Sequence, residues 1–76
     1  MYNKMQNTIR VERAKQNMTQ GQLAEAIGVS RQTIHAIETG KFAPSVITAL
    51  KISKYFNTTV QEIFQLEEKE LIDPVQ

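Results

Sequence analysis

The stretch that decides the fold of this chain is TQGQLAEAIGVSRQTIHAIETGK, residues 19–41. Thr19 and Gln22 have the pattern of a capping box, in which each side chain bonds the other residue's backbone, and this predicts that a helix starts here. The apolar residues that follow recur at the spacing of one helix face and are Leu23, Ala24 and Ile27. Gly28 comes directly after them, and glycine most easily takes the left-handed conformation that ends a helix.

A second helix is predicted immediately after this turn. Ser30 is placed to cap its start, and Gly40 is placed to end it. Its apolar stripe consists of Ile34 and Ile37, while Val29 is expected to pack beneath the turn. Two short amphipathic helices joined by a tight turn have the spacing of a helix-turn-helix, a motif that lays its second helix in the major groove of DNA.

The outward face of the second helix carries residue types that can read bases. Its members are Arg31, Gln32, Thr33, His35 and Ala36. Arginine and glutamine form paired hydrogen bonds with guanine and adenine, and threonine or alanine can touch the methyl group of thymine. An ordinary soluble helix can also expose arginine and glutamine, so the DNA-binding interpretation depends on the whole capped two-helix pattern.

Composition and charge place limits on the class of protein. The 76 residues are enough for one small domain, and the absence of cysteine excludes disulfides and thiolate metal sites. Residues 1–42 carry six basic and three acidic groups, whereas residues 43–76 carry three and five. The half with the helix-turn-helix is therefore the positive one, as phosphate contacts require, although chance asymmetry in a short chain is the alternative.

The pattern along the chain predicts an all-α fold of five helices. The first four are expected at about 8–16, 20–27, 31–39 and 46–56, with apolar positions 46, 49, 50, 52 and 56 forming one stripe of the fourth. Pro44 excludes helix at Ala43, and Ser45 is placed to cap the fourth helix. Thr59 and Glu62 form a second capping-box pattern that opens the fifth.

Three segments follow from this division. Residues 1–7 are a polar arm, residues 8–66 the helix-turn-helix domain and residues 67–76 an acidic tail. No apolar run has the length of a membrane helix and no signal-peptide pattern opens the chain, so a cytoplasmic protein is expected. Gly21 lies within a predicted helix, where we interpret it as merely tolerated.

The chain resembles the XRE family of helix-turn-helix regulators, the lambda-repressor-like DNA-binding domains. The resemblance covers about residues 8–66 and looks closest to compact stand-alone bacterial members such as the cytolysin-repressor type. It is carried by Arg13, MTQ at 18–20, LA at 23–24, IGVSRQTI at 27–34, IE at 37–38, GK at 40–41, PS at 44–45 and the closing stretch 52–64.

The resemblance implies a role for each matching position. The residues that would read bases are Gln20, Arg31, Gln32, Thr33 and Ala36. Those that would touch phosphates are Thr19, Thr39 and Lys41. Arg13 and Glu38 would instead form a partly buried structural ion pair, because a lone charge inside so small a core is expensive.

The family also implies a homodimer on a pseudo-palindromic operator. Its interface would include Val60, Ile63, Phe64 and Leu66, with exposed parts of the fourth helix. The alternative is that the terminal apolar cluster completes the core of one chain. In the cytolysin-repressor type, terminal segments pair as short β-strands and assist the dimer, which here would involve residues 2–5 and 65–69.

Other functions are less well supported by the residues. The single histidine lies on the predicted DNA-facing helix, no catalytic set or glycine-rich phosphate loop is present, and neither enzyme activity, cofactor, metal ion nor small-molecule ligand is expected. The main alternative to a repressor of transcription is an antitoxin-like or other protein-binding module with the same fold. RNA binding would require an aromatic stacking surface, and the five aromatic residues are scattered.

Overall fold

The structure is a computed structural model, and it describes residues 5–66. This part of the chain forms five helices and two short strands. In chain order they are β1 (Met5–Asn7), α1 (Ile9–Lys15), α2 (Gln20–Ile27), α3 (Arg31–Glu38), α4 (Val46–Tyr55), α5 (Val60–Ile63) and β2 (Phe64–Leu66). The predicted five-helix fold is therefore confirmed. None of the helices in the described residues has the length and apolar character needed to cross a membrane.

The helices start where the capping residues predict. Thr19 Oγ1 accepts from the backbone N–H of Gln22 at 3.0 Å, and Gln22 Oε1 accepts in return from the backbone of Thr19 at 2.9 Å. Ser30 and Ser45 accept from the third residue of α3 and α4, each at 3.1 Å. Each such cap satisfies a backbone donor that the helix itself leaves free, which stabilises the helix by about 1 kcal/mol.

Two helix starts differ from the sequence prediction. Thr59 Oγ1 accepts from the backbone of Glu62 at 3.2 Å, but no return bond from the Glu62 side chain completes a capping box within residues 5–66. At α1 the hydroxyl of Thr8 makes no cap bond, and Asn7 Oδ1 accepts from the backbone of Ile9 at 3.2 Å instead. Asn7 was not predicted to have a structural role.

Four helices end at a residue in the left-handed conformation. Gly28 (φ 80°) and Gly40 (φ 79°) end α2 and α3, as predicted. Asn17 (φ 58°) and Asn57 (φ 59°) have the same conformation after α1 and α4. Asparagine tolerates this region better than most residues that carry a Cβ, so the turns form there at a modest energetic cost.

The core lies between the helices and is almost wholly aliphatic. Its fully enclosed side chains are Ile9, Leu23, Ile34, Ile37, Ile52 and Ile63. Ala24, 3% exposed, supplies a small side chain in the core beside α3, and Val29 packs partly buried beneath the turn. Because apolar side chains from all five helices meet there, this core fixes the angle between α2 and α3.

The fourth helix does not bury its whole predicted stripe. Ala49, Ile52 and Phe56 are in the core, but Val46 is 75% exposed and Leu50 is 54% exposed. Helical spacing identifies these positions as one apolar face, but it does not show whether another element covers that face. In the described part of the chain, nothing covers this side of α4 completely.

The two strands join the ends of the domain. β1 and β2 pair antiparallel with Met5 opposite Leu66 and Asn7 opposite Phe64. Asn7 Nδ2 also donates to the Ile37 carbonyl at 2.9 Å, which ties the strand to the end of α3. Of the strands predicted at 2–5 and 65–69, the described residues show pairing within one chain, and the pairing includes Asn7 and Phe64 beyond the predicted bounds. The rest of those segments and the acidic tail at 67–76 lie outside the described residues.

Candidate nucleic-acid interface

The start of α3 presents polar side chains to solvent, opposite its buried stripe. Arg31 and Gln32 are exposed, and neither side chain makes a hydrogen bond or ion pair with another residue of the range 5–66. Ile34 and Ile37 on the opposite side are 0% and 1% exposed. The helix is therefore anchored rigidly on one side and leaves its hydrogen-bonding groups free on the other.

The remaining predicted base-reading positions of α3 are half-buried. Thr33 is held at the helix start, where its Oγ1 lies 2.9 Å from Ser30 Oγ. Ala36 lies one turn from Gln32 and is also half-buried. Thr33 and Ala36 therefore flank the free groups of Arg31 and Gln32 with methyl groups, which suit apolar contact with thymine.

The first turn of α2 lies directly beside Arg31. A Cβ atom added at Gly21 would stand 3.7 Å from Arg31 Cδ, which is an ordinary van der Waals distance. The arginine stem thus runs past Gly21, and its guanidinium belongs to the same surface as the start of α2. Gly21 itself has no left-handed backbone angle that would require glycine.

Arg13 and Glu38 form a two-pronged ion pair between α1 and the end of α3. Arg13 Nε donates to Glu38 Oε2 at 2.6 Å, and Arg13 Nη2 donates to Oε1 at 3.0 Å. Arg13 Nη1 also donates to the Met18 carbonyl at 2.8 Å. The side chains are 14% and 1% exposed. This geometry makes both residues part of the scaffold that holds α3, as the resemblance implies.

The protonation states of this pair follow from its surroundings. Burial acts to raise the pKa of Glu38, but hydrogen bonds from Arg13 and Gln20 and the charges of Arg13 and Arg10 outweigh it, so that the pKa lies below its usual value. The hydrogen bond to Glu38 raises the pKa of Arg13 despite the desolvation of its guanidinium. Both groups are charged at neutral pH.

Gln20 belongs to the same network, which the sequence did not reveal. Its side chain is half-buried, and its Nε2 lies 3.1 Å from Glu38 Oε1 and 3.3 Å from His35 Nδ1. The three residues come from the start of α2 and one face of α3. The available signal was weak: His35 and Glu38 are three residues apart and so share a helix face, but nothing in the sequence places Gln20 against them.

The three residues predicted to contact phosphates differ in whether they have a free hydrogen-bond donor. Thr19 Oγ1 accepts from Gln22, and its hydroxyl hydrogen has no acceptor within residues 5–66. Thr39 Oγ1 donates to the His35 carbonyl at 2.9 Å, so its hydrogen is already engaged. Lys41 is exposed in the loop after α3. A phosphate oxygen accepts hydrogen bonds, and Thr19 and Lys41 have donors available for it.

The predicted dimer residues separate into two groups. Ile63 is 0% exposed and Phe64 is 7% exposed, so both complete the core of one chain and have little surface for a partner. This corrects their assignment to an interface, and the reason is that α5 packs against α4 and β2, so that Ile63 and Phe64 both join the apolar core. Val60 is half-buried, and Leu66 is 44% exposed.

An apolar groove lies beside these residues. Its volume is about 200 Å³, and it is lined by Pro44, Val46, Ala49, Leu50, Val60 and Phe64. Ile47, the residue after Val46 on the same helix, is 67% exposed. Within the described residues there is no group of three or more histidine, cysteine or acidic side chains that could hold a metal ion.

Comparison with known proteins places this geometry in a family. The helix-turn-helix family model matches residues 9–63. The chain is 48% identical over 66 residues to an uncharacterized HTH-type transcriptional regulator of Methanocaldococcus jannaschii, a match that covers 87% of this chain and 100% of the relative. It is 43% identical over 65 residues to YgzD, an uncharacterized HTH-type transcriptional regulator of Bacillus subtilis, with 86% and 98% covered.

Two further comparisons differ in kind. BcrR of Enterococcus faecalis, named as an HTH-type transcriptional activator, is 43% identical over 56 residues, which are 74% of this chain but 28% of that protein. A crystal structure of a Bacteroides fragilis protein, named as a candidate DNA-binding protein, superposes with a TM-score of 0.70 at 30% identity. It covers 80% of this chain and 98% of the other.

Proposed function

The chain belongs to the helix-turn-helix family, and from this premise we propose that it is a transcriptional regulator that binds double-stranded DNA sequence-specifically. The observation that carries the proposal is the start of α3, where Arg31 and Gln32 are exposed on a helix whose other side is enclosed by the core. A rigid helix with free arginine and glutamine ends suits the donor and acceptor pattern of the major groove.

Each polar group has a defined task in this proposal. Arg31 and Gln32 read bases through paired hydrogen bonds, and Thr33 and Ala36 contact the groove through their methyl groups. Lys41 and Thr19 contact phosphates and set the position of the domain on the duplex. Thr39 can join them only if its hydroxyl gives up the bond to the His35 carbonyl.

The regulator is proposed to act as a homodimer. The support is the apolar side of α4, where Val46, Ile47 and Leu50 are more than half exposed beside the groove. Burying these side chains against their two-fold copies removes apolar surface from water, which favours association at roughly 25 cal/mol per Å². Leu66 and Val60 lie at the edge of this surface. A two-fold dimer would present two copies of α3 to a pseudo-palindromic operator.

The proposed direction of regulation is repression by occupying an operator that overlaps a promoter. BcrR shows by its name that a relative of this domain can belong to an activator, and in that protein the matched part is 28% of the length. A reporter gene under the chain's own promoter tests the direction. Expression is expected to fall when the protein is induced, and a rise would contradict repression while leaving DNA binding intact.

A titration of DNA tests the binding proposal. The protein is titrated against its own promoter DNA and a scrambled duplex over a series of salt concentrations. Arg31→Ala and Gln32→Ala are each expected to weaken binding to the promoter by about 1–3 kcal/mol, roughly 5- to 150-fold, and to bring it closer to the affinity for the scrambled duplex. Equal affinity of the unmodified protein for both duplexes would refute sequence-specific binding.

The same titration distinguishes phosphate contacts from base contacts. Lys41→Ala is expected to weaken binding to both duplexes about equally and to reduce the salt slope by about one unit. Lys54→Ala is the matched control, because it removes the same charge from the exposed side of α4. If Lys54→Ala weakened DNA binding as much as Lys41→Ala does, the proposed assignment of the phosphate contacts to the loop after α3 would be wrong.

A further inference from the structure

The hydrogen-bonding polarity of Gln20 is determined by its neighbours. Glu38 is ionised beside Arg13, and a carboxylate can only accept hydrogen bonds. The Gln20 atom that lies 3.1 Å from Glu38 Oε1 must therefore be the amide nitrogen and not the amide oxygen. This contact fixes the orientation of the amide.

The same argument fixes the tautomer of His35. The Gln20 amide nitrogen has two hydrogens and cannot accept, and it lies 3.3 Å from His35 Nδ1. His35 Nδ1 is then the acceptor in this contact, which selects the tautomer that carries its hydrogen on Nε2. One amide hydrogen of Gln20 is directed to Glu38 and the other to His35, and neither is left for DNA.

What remains free is an acceptor on Gln20 and a donor on His35. Gln20 Oε1 has no hydrogen-bond partner among the described residues, and no buried side-chain oxygen there lacks one, so Oε1 is open to solvent. His35 is exposed on α3. A glutamine with both hydrogens free can form the paired contact with adenine, which needs one donor and one acceptor. Gln20 in this network offers the acceptor alone.

We propose that His35 is a positioning residue that makes Gln20 an acceptor-only reader of the major groove, selecting a base with an exocyclic amino group there. Such a group is the N4 amino group of cytosine or the N6 amino group of adenine. A phosphate is excluded as the partner of Gln20 Oε1, since phosphate oxygens also accept. The inference rests on the proposed DNA-binding function and adds a specificity rule to it.

The tautomer is testable without DNA. The ¹⁵N resonances of His35 in the free protein at neutral pH are expected to show an unprotonated Nδ1 and a protonated Nε2, and the Gln20 amide protons to shift in His35→Leu. A hydrogen predominantly on Nδ1 of His35 would overturn the proposal. This measurement does not depend on whether the protein binds an operator.

The specificity rule is tested by selecting duplexes from a randomised library and sequencing them. The unmodified protein is expected to enrich cytosine or adenine at one position of each half-site, and Gln20→Ala to lose this preference by roughly tenfold. His35→Leu is expected to change the preferred base, because it frees an amide hydrogen. His35→Asn is expected to retain it, because Asn Oδ1 can accept in place of Nδ1.

The outcomes separate the two proposals. A motif that is enriched by the unmodified protein but is the same in His35→Leu, or that Gln20→Ala leaves unchanged, overturns the role of His35 while DNA reading stands. Enrichment of no sequence at all overturns both. Thermal melts of each variant exclude misfolding, and unchanged enrichment elsewhere in the motif shows that α3 remains in place.

Discussion

Helices α3 and α4 each bury one apolar stripe, but they differ in what they leave at the surface. The outward side of α3 begins with Arg31 and Gln32, whose polar groups are free within the described residues, whereas the outward side of α4 carries Val46, Ile47 and Leu50. Charged and amide groups gain from a partner that supplies matching donors and acceptors, and exposed aliphatic groups gain from a partner that excludes water. The two helices therefore suit different kinds of partner.

The two regions also differ in how they are held. The end of α3 is fixed by charge, through Arg13 and Glu38, and by the bond from Asn7 to the Ile37 carbonyl. Helix α4 is held by aliphatic packing, and its one buried polar side chain, Ser53, returns its hydrogen to the Ala49 carbonyl at 2.9 Å. Removing one charged or hydrogen-bonding group should therefore destabilise the end of α3 strongly. Removing one aliphatic group should destabilise α4 less.

The largest effect is expected from breaking the ion pair. Glu38→Ala leaves the Arg13 charge largely buried and unpaired, and we expect a loss of roughly 3 kcal/mol in the free energy of unfolding, measured by urea denaturation. Arg13→Ala/Glu38→Ala should cost less than the sum of the two single variants, with a coupling of roughly 0.5–3 kcal/mol.

The control for this cycle is Glu12→Ala. Glu12 pairs with Lys15 at 3.4 Å on the surface of α1, where the lysine side chain is 65% exposed. Such surface pairs contribute about 0–1 kcal/mol, so the control should be nearly neutral. Additive free energies in the Arg13–Glu38 cycle would contradict a structural pair.

The next effect concerns the apolar side of α4. Leu50→Glu is expected to raise the dissociation constant of the dimer by roughly 100-fold, about 2.7 kcal/mol, because it would bury an unpaired charge in both copies of the interface. Sedimentation velocity measures the change. Val11→Glu is the matched control, since Val11 on α1 is 53% exposed and Leu50 is 54% exposed. An equal loss of dimer in both variants, or in neither, would place the interface elsewhere.

Acid is also expected to lower the stability of the fold, because it protonates Glu38. The loss should be gradual, whereas a substitution removes the whole contribution at once. The pKa of Glu38 is lower in the folded state than its ordinary value of 4.5. A carboxyl of this kind contributes stability above its ordinary pKa and loses the contribution as the pH falls through the folded value. The unfolding midpoint of Glu38→Gln should therefore lack part of the decline that the unmodified protein shows below about pH 4.5. Parallel pH profiles would show that Glu38 is not the responsible group.

The smallest effect is expected at the start of α2. Gly21→Ala should stabilise the fold by about 0.5–1 kcal/mol, because alanine loses less backbone freedom in a helix and its Cβ would stand 3.7 Å from Arg31 Cδ. Thermal denaturation measures the gain. A stable variant with weakened DNA binding would show instead that glycine allows close approach of a phosphate to the backbone.

Local chemistry accounts for what the sequence predicted well. Caps at Thr19, Ser30 and Ser45 and the left-handed Gly28 and Gly40 are properties of a few adjacent residues, and all five are confirmed. A break after α4 was expected at Asn57, but the left-handed conformation of Asn17 and Asn57 was not predicted, because asparagine adopts it less regularly than glycine.

The features that the sequence did not predict depend on contacts between segments that are distant in the chain. Asn7 caps α1 and also reaches the Ile37 carbonyl, thirty residues away in the chain. The bonds of Gln20 to His35 and Glu38 likewise join two helices. Side-chain identity allows such bonds, but only the relative position of the helices decides which of them form.

By itself, the sequence determined the approximate bounds of the five helices and that Arg31 and Gln32 begin the outward side of α3, because capping, glycine conformation and helical period act over a single turn. The tertiary structure decided which apolar residues are covered. It enclosed Ile63 and Phe64 in the core, left Val46 and Leu50 outside it, and directed both hydrogens of Gln20 inward. These outcomes depend on how whole helices pack against one another, and a pattern within one helix does not contain that information.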